Sequence, residues 1–293
     1  MSKHAFLIEA HNNKEQLKQL LDCLDFNEND IFIHVDAKSK ELEGIENYQL
    51  RHSKVYKIDS IPVFWGGYSQ IKVEMDLLKK ATETDRYSRY HLISGGDLPL
   101  VNQHDLHDFF DKNGDKEFIH YDIDQNIQNF KGRMSQYHFL RDHIDRNQKF
   151  FCFIEKLLII IQKICGVNRI KKTDMVWAKG ANWFSITDKC ARYVLENQNW
   201  VEKTFKYTKC CDEIFLQTLV LNSTFRDKLY FETCDESRCG NMRYVDWKRG
   251  NPYIFKSQDY DELINSGYIF ARKFDSKVDF QIINKIIEFT KEI

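Results

Sequence analysis

An α/β fold with a mainly parallel central sheet flanked by helices is predicted by two observations. From Ala5 to Tyr121, short β-branched and aromatic runs alternate with helical periodicities. The 293 residues are also 42% hydrophobic and 14% aromatic, enough to cover both faces of a sheet. In chain order the runs are Ala5–Glu9 (strand), Lys14–Leu24 (helix), Ile31–Val35 and Val55–Ile58 (strands), Gln70–Ala81 (helix), Tyr90–Ile93 (strand), His104–Phe110 (helix) and Glu117–Tyr121 (strand). Ligands of such sheets sit where the strands end at their carboxyl edge, so the loops HNN, DAKSK, FWGGY, SGGDLP and DIDQN are searched first for a site.

The chain has 43 basic and 44 acidic residues, a net charge of −1, so no whole-chain field draws it to nucleic acid or to an anionic membrane. Its opening, MSKHAFLIEAHNN, lacks the apolar core of a secretory signal, and a cytoplasmic location is expected. The eight cysteines then read as buried thiols. Cys210 and Cys211 are adjacent and Cys234 and Cys239 are C-x4-C, spacings poorly suited to tetrahedral zinc.

Pro62 and Pro99 sit close to the glycine pairs Gly66-Gly67 and Gly95-Gly96, which mark either site loops or ordinary turns. Ser69 reads as the cap of the helix after Trp65 and the first glycine pair. The run around Phe150 to Cys165 is the most apolar in the chain but too short to span a bilayer, which takes about 20 residues. A buried helix is the expectation, and a helix lying on a membrane is the alternative.

Four carboxylate positions and two basic clusters carry candidate chemistry. Asp36 ends a strand, where it can accept hydrogen bonds from a ribose or a base. Asp97, in the glycine-rich turn, can take sugar hydroxyls, and the turn lacks the lysine and spacing of a phosphate loop. Asp122 and Asp124 form a D-x-D triplet that could hold a divalent ion, a pattern frequent by chance. In KCCDEIFLQTLVLNS, Asp212 reads as a helix cap and Glu213, just inside the helix, as a fixed general base. Lys248 with Arg249, and Arg272 with Lys273, either converge on a diphosphate or are solvated surface charge.

The motifs IFIHVDAKS, WGGYSQ, YHLISGGDLPL, GANWFSIT, CDEIFLQTLVLNS, RYVDW and FARKFD, in this order over about residues 4 to 275, resemble the core-2/I-branching β-1,6-N-acetylglucosaminyltransferase family (glycosyltransferase family 14), which includes peptide O-xylosyltransferases. The resemblance implies one GT-A glycosyltransferase domain over 1–293, with a nucleotide-sugar-binding half (1–125) and an acceptor-binding and catalytic half (126–293). It implies inverting transfer from a UDP-sugar, most often UDP-GlcNAc, to a hydroxyl of a glycan or lipid-linked glycan. UDP-xylose, UDP-glucose and UDP-galactose are the other donors, and a non-catalytic glycan-binding protein is the rival reading.

Matched residue by residue, the resemblance makes Glu213 the catalytic base. It puts Lys273 on the donor diphosphate with Arg249, which Lys248 or Arg243 could replace. The same match puts Asp36 near the uracil or ribose, Trp247 on the acceptor sugar, and Arg133 and Asp122 near acceptor contacts; beside them, His11, Trp65 and Gly66 are expected at the donor and Asp97 and Trp183 at the acceptor. No metal or other cofactor is expected, basic side chains serving instead of Mg²⁺ or Mn²⁺, and no nucleic-acid partner. Animal members carry a membrane anchor and stem. Neither is seen in this sequence, which suits a bacterial-type enzyme of capsule, exopolysaccharide or other surface-glycan synthesis, with peripheral membrane contact through Phe150–Cys165.

Overall fold

The computed structural model describes residues 1–122, 127–145, 147–170, 175–231 and 240–291. Asp124, Cys234 and Cys239 lie outside the described residues. The strands are β1 (His4–Ala10), β2 (Asn29–Val35), β3 (Lys54–Lys57), β4 (Arg89–Ser94), β5 (Asp97–Pro99), β6 (Phe118–Ile119), β7 (Phe184–Thr187), β8 (Arg243–Val245) and β9 (Phe270–Arg272). The helices are α1 (Lys14–Cys23), α2 (Ser69–Thr84), α3 (Gln103–Lys112), α4 (Ile127–Ser135), α5 (Lys149–Ile164), α6 (Asp188–Glu196), α7 (Gln198–Phe205), α8 (Phe215–Leu221), α9 (Tyr260–Ile264) and α10 (Phe280–Lys291).

The main sheet has the order β3-β2-β1-β4-β7-β6. Its first four strands are parallel, and β7 runs antiparallel to both β4 and β6. This is the mainly parallel, helix-flanked α/β sheet that the sequence pattern predicts. Along β1, Ala5 and Leu7 join the core under α2, α6 and α8, while Phe6 and Ile8 join the core under α1, α3 and α10. A strand apolar on both faces is what a doubly covered parallel sheet requires.

The strand order reverses between β1 and β4, which opens a crevice at their carboxyl ends. A second sheet, β5-β9-β8, closes one side of it. β5 pairs with β9 and β4 with β7, so strands from before and after residue 125 share both sheets.

The apolar run is a helix, α5, but not a buried one. Of its side chains only Glu155 is buried, whereas Phe150 is 69% and Ile164 81% exposed. Among the described residues, no helix is long and apolar enough to cross a membrane.

Candidate active site

Three loops at the carboxyl edge meet the chain's last third. His11 follows β1, Asp36 follows β2, and the turn Gly95-Gly96 follows β4. Asp36 is nearly buried, and its Oδ1 accepts hydrogen bonds from the backbone of Lys38 (2.9 Å) and Val63 (3.4 Å). The last of these ties the segment leading to Trp65 to the end of β2. Trp65 itself is 47% exposed.

Gln16 donates to the carbonyls of Gly95 (3.2 Å) and Phe274 (3.0 Å), and Phe274 N donates to Gly96 O (2.9 Å). The segment after β9 is thereby fixed against the glycine turn, with Lys273 beside Gly96. Burial, then the Lys273 charge, lower the His11 pKa, while Asp36 opposes them. His11 thus feels the charges of both Lys273 and Asp36.

Glu213 stands in a tight turn two residues before α8 begins. Cys210 has φ 49° and donates its N–H to Gly66 O (2.9 Å); Gly66 has φ 75°, and a Cβ there would lie 3.1 Å from Cys210 Sγ. A side chain there would be strained at that φ and would crowd the thiol. On the other side, Gly180 N donates to Glu213 O (2.8 Å), and a Cβ on Gly180 would overlap the His120 carbonyl. The glycines of WGG and GANW therefore clamp the backbone that carries Glu213.

The Glu213 carboxylate is 35% exposed and ion-paired through Oε2 with Arg133 (2.8 Å), with Lys179 at 3.9 Å. Burial lowers the Arg133 pKa, but its hydrogen bond to Glu213 and the surrounding acidic groups together leave it raised. Lys179 also reaches Asp122 (3.4 Å), and His120 lies 3.4 Å from the same carboxylate. The Asp122 pKa is lowered, chiefly by the His120 hydrogen bond. Arg133, Lys179, Asp122 and His120 thus form one charged rim around Glu213. Lys179 and His120 carried no sequence signal beyond their proximity to the motifs.

Beneath Glu213, Asp212 is buried and accepts a hydrogen bond from Gln70 (3.1 Å). Burial, then the Glu213 charge, push its pKa to about 7. Glu9 continues the β1 face of Ala5 and Leu7, and Glu74 lies on α2 facing the same core. Desolvation raises Glu9 to about 8 and Glu74 well above the carboxylate range. Among the described residues, no three carboxylates, histidines or cysteines are grouped to hold a metal ion.

Several expectations are corrected by this geometry. Arg249 binds Asp246, Asp259 (2.6 Å) and Glu262 (2.9 Å), so its guanidinium already serves three carboxylates of its own loop and α9. Arg243 is fully buried and donates to the carbonyls of Leu92 (2.9 Å), Phe184 (2.8 Å) and Asn241 (2.8 Å), a structural role. Asp97 is 1% exposed; it accepts from Ser94 N (2.6 Å) and faces Arg272 (3.5 Å), bracing the turn rather than offering itself to a hydroxyl. Trp183 is nearly buried with the Arg272 guanidinium 4.4 Å from its ring, so that face is already covered. Asp212 caps no helix, since α8 starts at Phe215, and Glu213 precedes the helix instead of standing within it. Ser69 is the first residue of α2, not its cap. Trp247 is 62% exposed, open to a partner, as is Lys248.

The Core-2/I-Branching enzyme family model matches residues 4–262. The chain belongs to that family. The chain is 25% identical over 309 aligned residues to Xylosyltransferase 2 of Rattus norvegicus, covering 97% of the chain and 33% of the relative. It is 23% identical to Xylosyltransferase sqv-6 of Caenorhabditis briggsae, covering 96% and 36%. The chain therefore spans about a third of the length of the curated relatives it matches. A solved structure, mouse xyloside xylosyltransferase 1 in its apo form, aligns with 92% of the chain and 97% of its own at 11% identity, with a TM-score of 0.38. Lys273 lies beyond the residues that the family model matches.

Proposed function

We propose that the protein is an inverting glycosyltransferase that moves a sugar, GlcNAc in the first instance, from a UDP-sugar to a hydroxyl of a glycan acceptor, without a metal ion, in bacterial surface-glycan synthesis. The observation that carries this reading is Glu213, half-exposed on a clamped backbone, with both neighbouring cations approaching one carboxylate oxygen, Oε2. In this reading Oε1 takes the acceptor proton as the hydroxyl attacks the anomeric carbon from the face opposite UDP. Arg133 and Lys179 hold the Glu213 carboxylate in place through Oε2 until the acceptor arrives.

The uridine lies by Asp36, His11 and Trp65 at the switch point of the sheet, and Lys273 neutralises the diphosphate. Lys248, exposed in the loop of Trp247, takes the place given to Arg249 by the sequence reading. Trp247 stacks on the acceptor sugar. UDP-xylose is a second donor reading, favoured by the names of the relatives. A cytoplasmic location belongs to the same proposal, supported by six described cysteines that are all free thiols.

The test is Glu213→Gln. Turnover should fall by a factor of about 10²–10⁴, the range for a general base, with UDP affinity within about threefold of the parent because the amide keeps the shape. Near-normal turnover would remove Glu213 from the base role. EDTA should leave initial rates unchanged, and a loss restored by Mn²⁺ would overturn metal independence.

A further inference from the structure

We propose that α5 is a docking element for an anionic lipid surface, laid beside the mouth of the active site. The helix is mounted inside out. Glu155, its only acidic residue, is buried and held by Arg141 (Nε to Oε1, 3.1 Å), with His138 at 3.6 Å; Gln162 clasps the backbone of Tyr137 from both sides, at 2.8 and 2.9 Å. These polar anchors fix which face meets the protein body. The apolar stripe, formed at helical spacing by Phe150, Phe153, Leu157, Ile160, Ile161 and Ile164, faces outward, each of the six at least 43% exposed.

A continuous apolar stripe this long is not left to water without a partner. The charges beside it say which partner. Lys149, Lys156 and Lys163 recur every seven residues, so they line one edge of the stripe, and all three are exposed. With Glu155 buried and paired, every exposed charge on α5 is positive. A second copy of the chain would bring two such lysine edges together, whereas acidic headgroups complement them. Apolar stripe and basic rim on one short helix are the chemistry of an interfacial helix.

The position of α5 adds a reason for the contact. Asp142, next to its anchor Arg141, accepts from Ser69 N (2.8 Å) and packs against Gly67, and Lys38, two residues after Asp36, pairs with Asp145 (2.9 Å). The stacked, exposed pair Tyr137 and Phe139 extends the apolar surface away from the helix. Docking of α5 would bring the loops of Asp36 and Trp65 towards the bilayer, where a lipid-linked acceptor resides. That last clause rests on the proposed glycosyl transfer, and the docking itself does not.

The experiment is flotation of the 293-residue protein with phosphatidylcholine vesicles and with vesicles containing 30% phosphatidylglycerol. Binding is expected to the anionic vesicles, weakened at least tenfold on zwitterionic ones and by raised salt. Phe153→Asp with Ile160→Asp should abolish it. Lys149→Gln with Lys156→Gln and Lys163→Gln, which leaves the apolar stripe and the anchors intact, should weaken it on the order of a hundredfold, since each lysine near such a surface contributes about 1 kcal/mol. Transfer to a soluble acceptor should be unchanged in both, so that loss of activity in the parent reports on the catalytic reading alone. Absence of binding to anionic vesicles by the parent overturns the proposal. So does a concentration-dependent dimer, seen by light scattering, that the aspartate pair dissolves while the parent ignores vesicles.

Discussion

On the α3 side of the sheet, three buried histidines are paired with one another and with their surroundings; on the α2 side, three carboxyls are held out of water with oxygens left over. His91 meets Ser185 (2.8 Å) and His4 (3.1 Å), and His107, stacked on His4, meets Ser2 O (3.0 Å) and Asn29 (2.8 Å). Arg89 and Arg243 sit in the same layer, with their guanidiniums on backbone carbonyls. By contrast, both Glu74 oxygens, one of Glu9 and one of Asp212 have no hydrogen-bond partner among the described residues. The first layer is polar structure with most of its groups satisfied. The second stores unfavourable desolvation directly beneath Glu213, and such residues persist where a site needs them.

The largest effect expected is on the satisfied side. Arg243→Leu removes donors from three buried carbonyls at once, and each orphan costs about 1–3 kcal/mol, so a loss of at least 3 kcal/mol in urea unfolding is expected. A loss under 1 kcal/mol, with weaker UDP binding instead, would return Arg243 to the donor site and break the comparison.

Next in size is the response to pH, where the two faces pull in opposite directions. Burial lowers all three histidine pKa values, so the folded state takes up protons less readily than the unfolded chain, and stability falls as the pH drops below about 6.5. The carboxyls are raised, Asp212 to about 7 and Glu9 to about 8. Their contribution is complete below the ordinary carboxylate range and is lost as the pH rises through those values. Glu74→Gln should therefore gain about 1–3 kcal/mol at pH 8.5 and leave the acid limb in place. An unchanged alkaline limb would mean that the cluster carries no such load.

The smallest effect sharpens the site. Arg249→Gln breaks pairs with the buried Asp259, the nearly buried Asp246 and the exposed Glu262 and should change UDP affinity by less than about twofold. Lys273→Gln, removing a charged hydrogen bond, should weaken UDP binding by about tenfold or more. Equal effects of the two substitutions would restore Arg249 to the diphosphate.

Much of this was legible in the chain because it is local. Period-two and period-3.6 patterns located β1 to β4 and α1 to α3 within a few residues, since burial on both faces of a parallel sheet writes itself into adjacent positions. The errors share a cause of the opposite kind. Arg249 looked free because its partners Asp259 and Glu262 lie 10 and 13 residues away. Asp97 looked open because nothing near it in sequence announces Arg272. The turn at Cys210, with its positive φ, delays α8 past Asp212, a backbone shape that no propensity of cysteine predicts. The periodicity of α5 was plain, but periodicity does not say which side of a helix faces inward; Arg141 and Tyr137 decide that.

The bond from Gln16 to the Phe274 carbonyl joins residues 258 apart. A ribosome delivers the first of these long before the second. While the chain is being made, the floor of the crevice, with His11, Asp36 and the glycine turn, has no β9 to pair with β5 and no Lys273 to answer a diphosphate. On the proposed reading, the emerging protein should thus remain indifferent to nucleotide sugars until the segment of β9 and Lys273 has left the exit tunnel.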